Sequence, residues 1–282
     1  MAEPVTEGWI AGAGRRLWHH RIDARDPIGG VLVLHGYSEH SGRYVHVLEA
    51  LAARGFTCIA PTHRGHGRTA TLPGLLRDAN AVVQDWVWVT DALEHRVPDK
   101  PLFVLAHSMG ALLAILLLTR DSRFSGAILN GTPLKVPDSI SPASRLVARA
   151  VGGALPWLPV QPFFDATRAT RDPAVHAASL SDPWIYKGWM RAGTGKTLLR
   201  ALAEVDEAVP RLRIPLLITH GALDRTVAPE ASARLHAAAG SADKPPLSPA
   251  SEFNFRWCRW TPIRASRSIS KTNSIWSRTG RS

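Results

Sequence analysis

Short apolar runs alternate with longer stretches of helical spacing along most of this 282-residue chain. Gly30 to Leu34 is the first clear run. Tyr44 to Arg54 then places apolar residues three and four apart and stops at Gly55, a good C-cap. Phe56 to Ala60 reads as a second strand closed by Pro61, Asn80 to Arg96 as a helix, Leu102 to Ala106 as a third strand, and Met109 to Thr119 as a strongly apolar helix. Gly126 to Asn130 and Pro215 to Thr219 supply two more strands. Runs that are apolar on both faces belong to central strands covered on each side, so the alternation predicts an α/β fold with a mostly parallel sheet flanked by helices.

The alternation breaks between Val136 and Leu199, where seven prolines divide an apolar stretch into short helical pieces with no clear strand. One reading is a small helical subdomain with its own core. The other is a lid: an insertion late in such a sheet lies over the carboxyl ends of the strands and lines a site for an apolar ligand. The expected organisation is a core of residues 1–135 and 200–243, a helical cap or lid at 136–199, and an atypical basic tail at 244–282.

With 45% hydrophobic and 20% charged residues the chain has the composition of a folded globular protein. Its net charge of +11 would suggest an acidic partner, but the tail alone holds eight basic residues against Glu252. The first 243 residues carry 26 basic and 22 acidic side chains, +4, so nucleic-acid binding finds no support in the body. The longest notable apolar run, Ala111 to Leu118, is far short of the roughly 20 residues of a membrane-spanning helix. The acidic N-terminus lacks the pattern of a secretory signal, so a cytoplasmic location is expected. Cys58 and Cys258 form no disulfide framework or metal-ligand spacing and read as free thiols.

The strongest chemical signal is Ala106-His107-Ser108-Met109-Gly110, between a strand and a helix. In such a nucleophile elbow a strained backbone lifts the serine hydroxyl above the sheet, and small residues on either side let strand and helix pass closely. The bland alternative is a chance serine in a small-residue turn. The loop His35-Gly36-Tyr37-Ser38-Glu39-His40 follows the first strand, and there a His-Gly turn aims the Tyr37 amide at the same space as that of Met109. Two such donors hold the oxygen of a tetrahedral intermediate. The His35 side chain itself reads as a structural histidine bonding loop backbone. After the last strand, Asp224 can reach the same end of the sheet and accept a hydrogen bond from a catalytic imidazole. Taken alone it could equally be a surface residue or a helix cap.

These residues resemble the α/β-hydrolase superfamily, and within it the monoacylglycerol lipase and lysophospholipase-like group also classed with serine aminopeptidases. The likeness rests on His35 to Tyr44, Gly65-His66-Gly67, His107 to Gly110 and Gly221 to Asp224, in that order, and on Ser179 to Pro183 with Trp184 to Tyr186. It covers about residues 20–244; Thr62-His63 and Thr69 depart from the group's usual Asp and Ser. The resemblance implies an α/β-hydrolase fold with a helical cap and hydrolysis of monoacylglycerols or other single-chain esters. Ser108 would be the nucleophile, Asp224 the acid, and the Tyr37 and Met109 amides the oxyanion hole. No metal or cofactor is implied; the expected partner is a small ester or lipid, with transient membrane-surface contact through the cap, and the oligomeric state stays open.

The resemblance also implies a triad histidine about 30 residues after the acid, near residues 251–256. That segment reads Ser251-Glu-Phe-Asn-Phe-Arg256, and no histidine follows His236. The tail reads as a replacement of the native end, for example by a shifted frame, or as a divergent basic, aromatic membrane-surface segment, or as a solvated disordered tail. His35, His40, His66, His107, His220 and His236 are not in positions from which the known geometry works, so the catalytic histidine is left unassigned. A crippled scaffold that only binds acyl ligands, and a peptidase or thioesterase using the same serine, are the competing functions.

Overall fold

The computed structural model describes residues 3–12, 15–136, 140–163, 165, 170 and 172–245. Among the described residues seven strands form one sheet in the order β1-β2-β4-β3-β5-β6-β9. The strands are β1 (Thr6–Gly12), β2 (Arg15–Ile22), β3 (Gly29–Leu34), β4 (Phe56–Pro61), β5 (Leu102–His107), β6 (Phe124–Asn130) and β9 (Leu216–Thr219). From β4 to β9 every pairing is parallel, whereas β1 and β2 join antiparallel at one edge. The mostly parallel sheet expected from the alternation is present.

Alternation along the strands sorts two cores. Val31, Val33, Cys58 and Leu105 face α1 (Val45–Ala52). Leu32, Leu34, Val104 and Ala106 face the larger core with α2 (Ala79–Glu94) and α3 (Met109–Leu118). All ten residues of α3 are buried, because it lies between the sheet and a second layer of helix. A helix buried all round needs no polar face, which explains its unbroken apolar run.

Residues 142–191 hold α4 (Pro142–Val151), a two-stranded sheet of β7 (Pro159–Gln161) and β8 (Met190–Arg191), and α5 (Pro173–Ser181). The expectation of no strand in this stretch is corrected by β7 and β8, which are too short for periodicity to register. The boundary drawn at 199/200 also falls inside one continuous helix, α6 (Ala192–Ala208), whose Ala201, Val205 and Ala208 join the main core. The N-terminal edge strands are a further difference. β1 is mostly exposed and carries Gly8 and Gly12, and β2 buries His19 and His20, so neither shows an apolar run.

After α7 (Glu230–Ala238) the chain returns to the sheet edge, where the Asp243 carbonyl accepts the Leu216 amide (2.9 Å). Lys244, assigned to the tail from composition, bonds the carbonyls of His236 (2.6 Å) and Ala239 (2.5 Å) and so closes α7. The tail from residue 246 onward, with Cys258 and residues 251–256, lies outside the described residues. None of the described helices is long and apolar enough to cross a membrane.

Candidate active site

Ser108 lies between the last residue of β5 and the first of α3, with φ +51° and ψ −119°. This is left-handed backbone, costly for an L-residue and maintained only by what surrounds it. The Ser108 amide bonds the Asn130 carbonyl (2.9 Å), tying the turn to the end of β6. Gly110 is required by close approach: a Cβ there would lie 2.5 Å from the His35 carbonyl oxygen and 2.7 Å from that of Leu34. Ala106, wholly buried, fills the small position on the other side.

The loop after β3 packs directly on this turn, since a Cβ on Gly36 would meet the Ser108 Cβ at 3.2 Å and the His107 ring at 3.3 Å. Glu39 shapes the loop from beneath, its Oε2 accepting the Gly36 amide (2.8 Å) and the Tyr44 hydroxyl (2.8 Å). Burial alone would raise its carboxyl, but His107, Arg43 and these donors hold it below the usual carboxylate range. Ser38 adopts φ +72°, and its carbonyl accepts the Tyr186 amide (2.9 Å), so the loop is also fastened to the end of the cap. Tyr37 is buried and donates its hydroxyl to the Gly74 carbonyl (2.9 Å). Among the described residues no acceptor meets the backbone amide of Tyr37 or of Met109.

Under the loop sits a cluster of neutral histidines. His35 donates Nδ1–H to the Gly36 carbonyl (2.7 Å) and accepts the His63 amide at Nε2 (2.9 Å). His63 donates Nε2–H to the His35 carbonyl (2.9 Å) and accepts the Trp86 indole N–H at Nδ1 (3.1 Å). The two rings stack at 3.6 Å. Both nitrogens of each ring are committed, so these side chains organise backbone and have no lone pair left to take a proton from Ser108.

Asp224 lies in the loop after β9. Its Oδ1 accepts the amides of Thr226 (2.7 Å) and Val227 (3.0 Å), while Oδ2 faces His220 Nε2 (3.3 Å). A Cβ on Gly131, which has φ +57°, would lie 4.0 Å from that Oδ2 and 3.5 Å from the His107 ring. The same His107 ring borders Gly36 and Ser108, so the acid and the serine flank one end of the sheet. Burial would raise the Asp224 carboxyl, but the His220 hydrogen bond and the two amides hold it below the usual range.

His220 is not a base for Ser108. Its Nε2 faces the Val227 carbonyl (3.0 Å) and therefore carries the proton, and its Nδ1 meets the Ser232 hydroxyl (2.7 Å). His107 is likewise engaged: the Thr219 hydroxyl donates to the Asn130 side-chain Oδ1 (2.9 Å), which turns the Asn130 Nδ2–H toward His107 Nδ1 (2.7 Å). His40 bonds Asp182 of the cap (2.8 Å), and His236 lies on α7 with Nε2 on the Pro245 carbonyl (3.1 Å). The supporting roles of Asn130, Thr219 and His220 have no spacing signal, because partners on neighbouring parallel strands are scattered along the chain.

A mostly parallel sheet, a serine on a strained strand-to-helix turn and an acid after a later strand define an α/β-hydrolase. The chain belongs to the serine aminopeptidase S33 family, whose model matches residues 25–246. It is 36% identical over 211 residues to a monoacylglycerol lipase of Mycolicibacterium smegmatis, covering 74% of this chain and 75% of that protein. It is 31% identical over 216 residues to the monoglyceride lipase of Homo sapiens, covering 76% and 71% respectively. Among solved structures, a soluble variant of the Saccharomyces cerevisiae monoglyceride lipase in complex with a substrate analog shares the fold at a TM-score of 0.75 and 20% identity, covering 84% of this chain and 83% of that one.

Proposed function

We propose that this protein is a serine carboxylic-ester hydrolase acting on monoacylglycerol-like or other single-chain esters through an acyl-enzyme on Ser108. The observation that carries the reading is the Ser108 turn packed against the Gly36–Tyr37 loop, at the end of the sheet where Asp224 also lies. Relatives of ester-hydrolase class support the same chemistry. The Ser108 oxygen would attack the ester carbonyl to give a tetrahedral intermediate whose oxyanion the Tyr37 and Met109 amides stabilise; its collapse would break the ester C–O bond and release the alcohol carrying the proton given up by Ser108, and water would then hydrolyse the acyl-serine to the free acid. Asp224 would orient and stabilise an imidazolium. No metal or cofactor takes part. The cap would receive the acyl chain, and its exposed Leu146, Leu180 and Trp189 suit transient contact with a lipid surface.

A second reading, a scaffold that binds acyl ligands without turning them over, is favoured by one observation: no histidine follows His236, and those near Ser108 are committed elsewhere. Loss of the triad base costs on the order of 10⁴ to 10⁶ in kcat. A fluorophosphonate probe and a short p-nitrophenyl ester separate the two. The ester-hydrolase reading expects covalent labelling and slow turnover, both lost in Ser108→Ala, with turnover raised by added imidazole acting beside Asp224. Turnover unchanged in Ser108→Ala would remove the nucleophile, and binding of a fatty acid with neither labelling nor imidazole response would establish the scaffold.

A further inference from the structure

A cavity of about 450 Å³ lies where the cap joins the core and shares no lining residue with the surroundings of Ser108. One wall is a face of α6 that presents Lys196, Thr197 and Arg200; another is the start of α2 at Arg77 and Asn80; the turn after α4 closes it at Gly153. The glycine is what leaves room for the lysine, since a Cβ on Gly153 would lie 2.8 Å from the Lys196 Nζ.

The polar groups around this cavity are unequally satisfied. Its two acids are occupied: Asp78 accepts the Asn80 amide (2.9 Å) as the cap of α2, and Glu204 faces Arg120 (3.5 Å). Asn80 gives its side-chain oxygen to Arg120 (2.6 Å), which leaves its amide hydrogens as donors. Arg77, Lys196 and Arg200 form no ion pair among the described residues. Thr197 is only 6% exposed, and its hydroxyl meets no described partner. The positive end of the 16-residue α2 opens into the same space. Three cations, a hydroxyl and an amide donor around one volume match a multiply charged anion that accepts from several directions.

We propose that this cavity binds a phosphate ester, its phosphate held by Lys196, Arg200 and Arg77 and its organic part filling the remaining volume. The volume falls within the range of small-molecule sites, about 300–1,000 Å³, and exceeds what a bare ion fills. Because the walls come from both cap and core, occupancy ties the two together and stabilises the folded protein. Two sources share this chemistry, a soluble phosphomonoester and a phospholipid headgroup.

The test uses the full chain. Glycerol 3-phosphate and inorganic phosphate are titrated by calorimetry and thermal unfolding, and phosphatidylglycerol vesicles are compared with phosphatidylcholine vesicles by co-sedimentation. The expected result is binding of glycerol 3-phosphate with a Kd below about 1 mM and a raised Tm, weakened at least about tenfold in the Lys196→Met/Arg200→Met double variant. Arg54→Met, a surface change far along the chain, should leave binding unchanged. Arg77→Met, at an exposed position, is measured separately and should also weaken binding, so the test stands if the double variant does not fold. Vesicle binding that needs phosphatidylglycerol and these cations, without binding of glycerol 3-phosphate, would assign the headgroup as the source. No binding of any probe at millimolar concentration, or equal binding by wild type, Arg77→Met and the double variant, would overturn the proposal.

Discussion

Ser108 holds its left-handed backbone where Gly110 lets α3 approach the carbonyls of Leu34 and His35. Gly110→Ala would press a methyl onto two backbone oxygens that cannot yield as a side chain would. It should destabilise the protein by about 1–3 kcal/mol and reduce fluorophosphonate labelling, measured by urea unfolding and by probe kinetics. The same change with unaltered stability would mean that the helix shifts freely, against the geometry found. At this scale the sequence was highly informative. Ser108, Gly36, Gly110 and Glu39 lie in short local motifs because sharp turns are built from consecutive residues. The pinning of Asp224 by His220 was not visible, since their spacing of four also suits an ordinary loop.

Between elements, the cap is latched to the core by a few polar contacts. His40 bonds Asp182 just after α5, Arg43 bonds Ser179 (3.1 Å), and Arg68 lies between the rings of Trp18 and Trp184. The His40 and Asp182 side chains are 13% and 7% exposed, so removing one partner leaves the other's buried polar atom without its hydrogen bond. Asp182→Asn should cost about 1–3 kcal/mol at pH 7. Burial would raise the Asp182 carboxyl, but the His40 hydrogen bond and charge, with the Trp184 amide and Arg43, hold it below the usual range. A carboxyl depressed in this way contributes stability above its unfolded value, about 3.9, and loses it as pH falls through the lower folded value. The gap between wild type and Asp182→Asn should therefore be smaller at pH 4 than at pH 7, read from urea titrations at the two pH values. An equal gap at both would exclude the ion pair as its cause. Elements with long apolar patterns were legible from the chain, as α3 shows, while β1, β7 and β8 were not: edge and two- or three-residue strands obtain their order from partners rather than from their own pattern.

Across the molecule, the buried imidazoles tie folding to proton concentration. Burial pushes His63 down to about 3 and His66 to about 4, and holds His35 well below 6.5. Such groups bind fewer protons folded than unfolded, so their contribution is complete above about pH 6.5 and is lost as pH falls toward the folded values. His63 and His66 each remove about 1.4 kcal/mol per pH unit in that window, roughly 3 per unit together, and His35 adds to the loss in the same direction. Against an ordinary stability of about 5–15 kcal/mol, the protein should unfold in acid with a midpoint above about pH 3. Far-UV circular dichroism against pH would show it; a native spectrum retained at pH 3 would refute it.

By itself the sequence determined the local apparatus: the strand-turn-helix around Ser108, the His35–Gly36 loop, the acid after the last strand, and the parallel order that places all three at one end of a sheet. Those features follow from contiguous residues and from the one-directional winding of alternating strands and helices. Only the tertiary structure decided which nitrogen of each histidine is occupied, how the cap is fastened, and that Arg77, Lys196 and Arg200 meet around one cavity. Those outcomes depend on contacts at irregular separations, from 12 positions between His220 and Ser232 to 142 between His40 and Asp182, and such contacts leave no periodic mark along the chain.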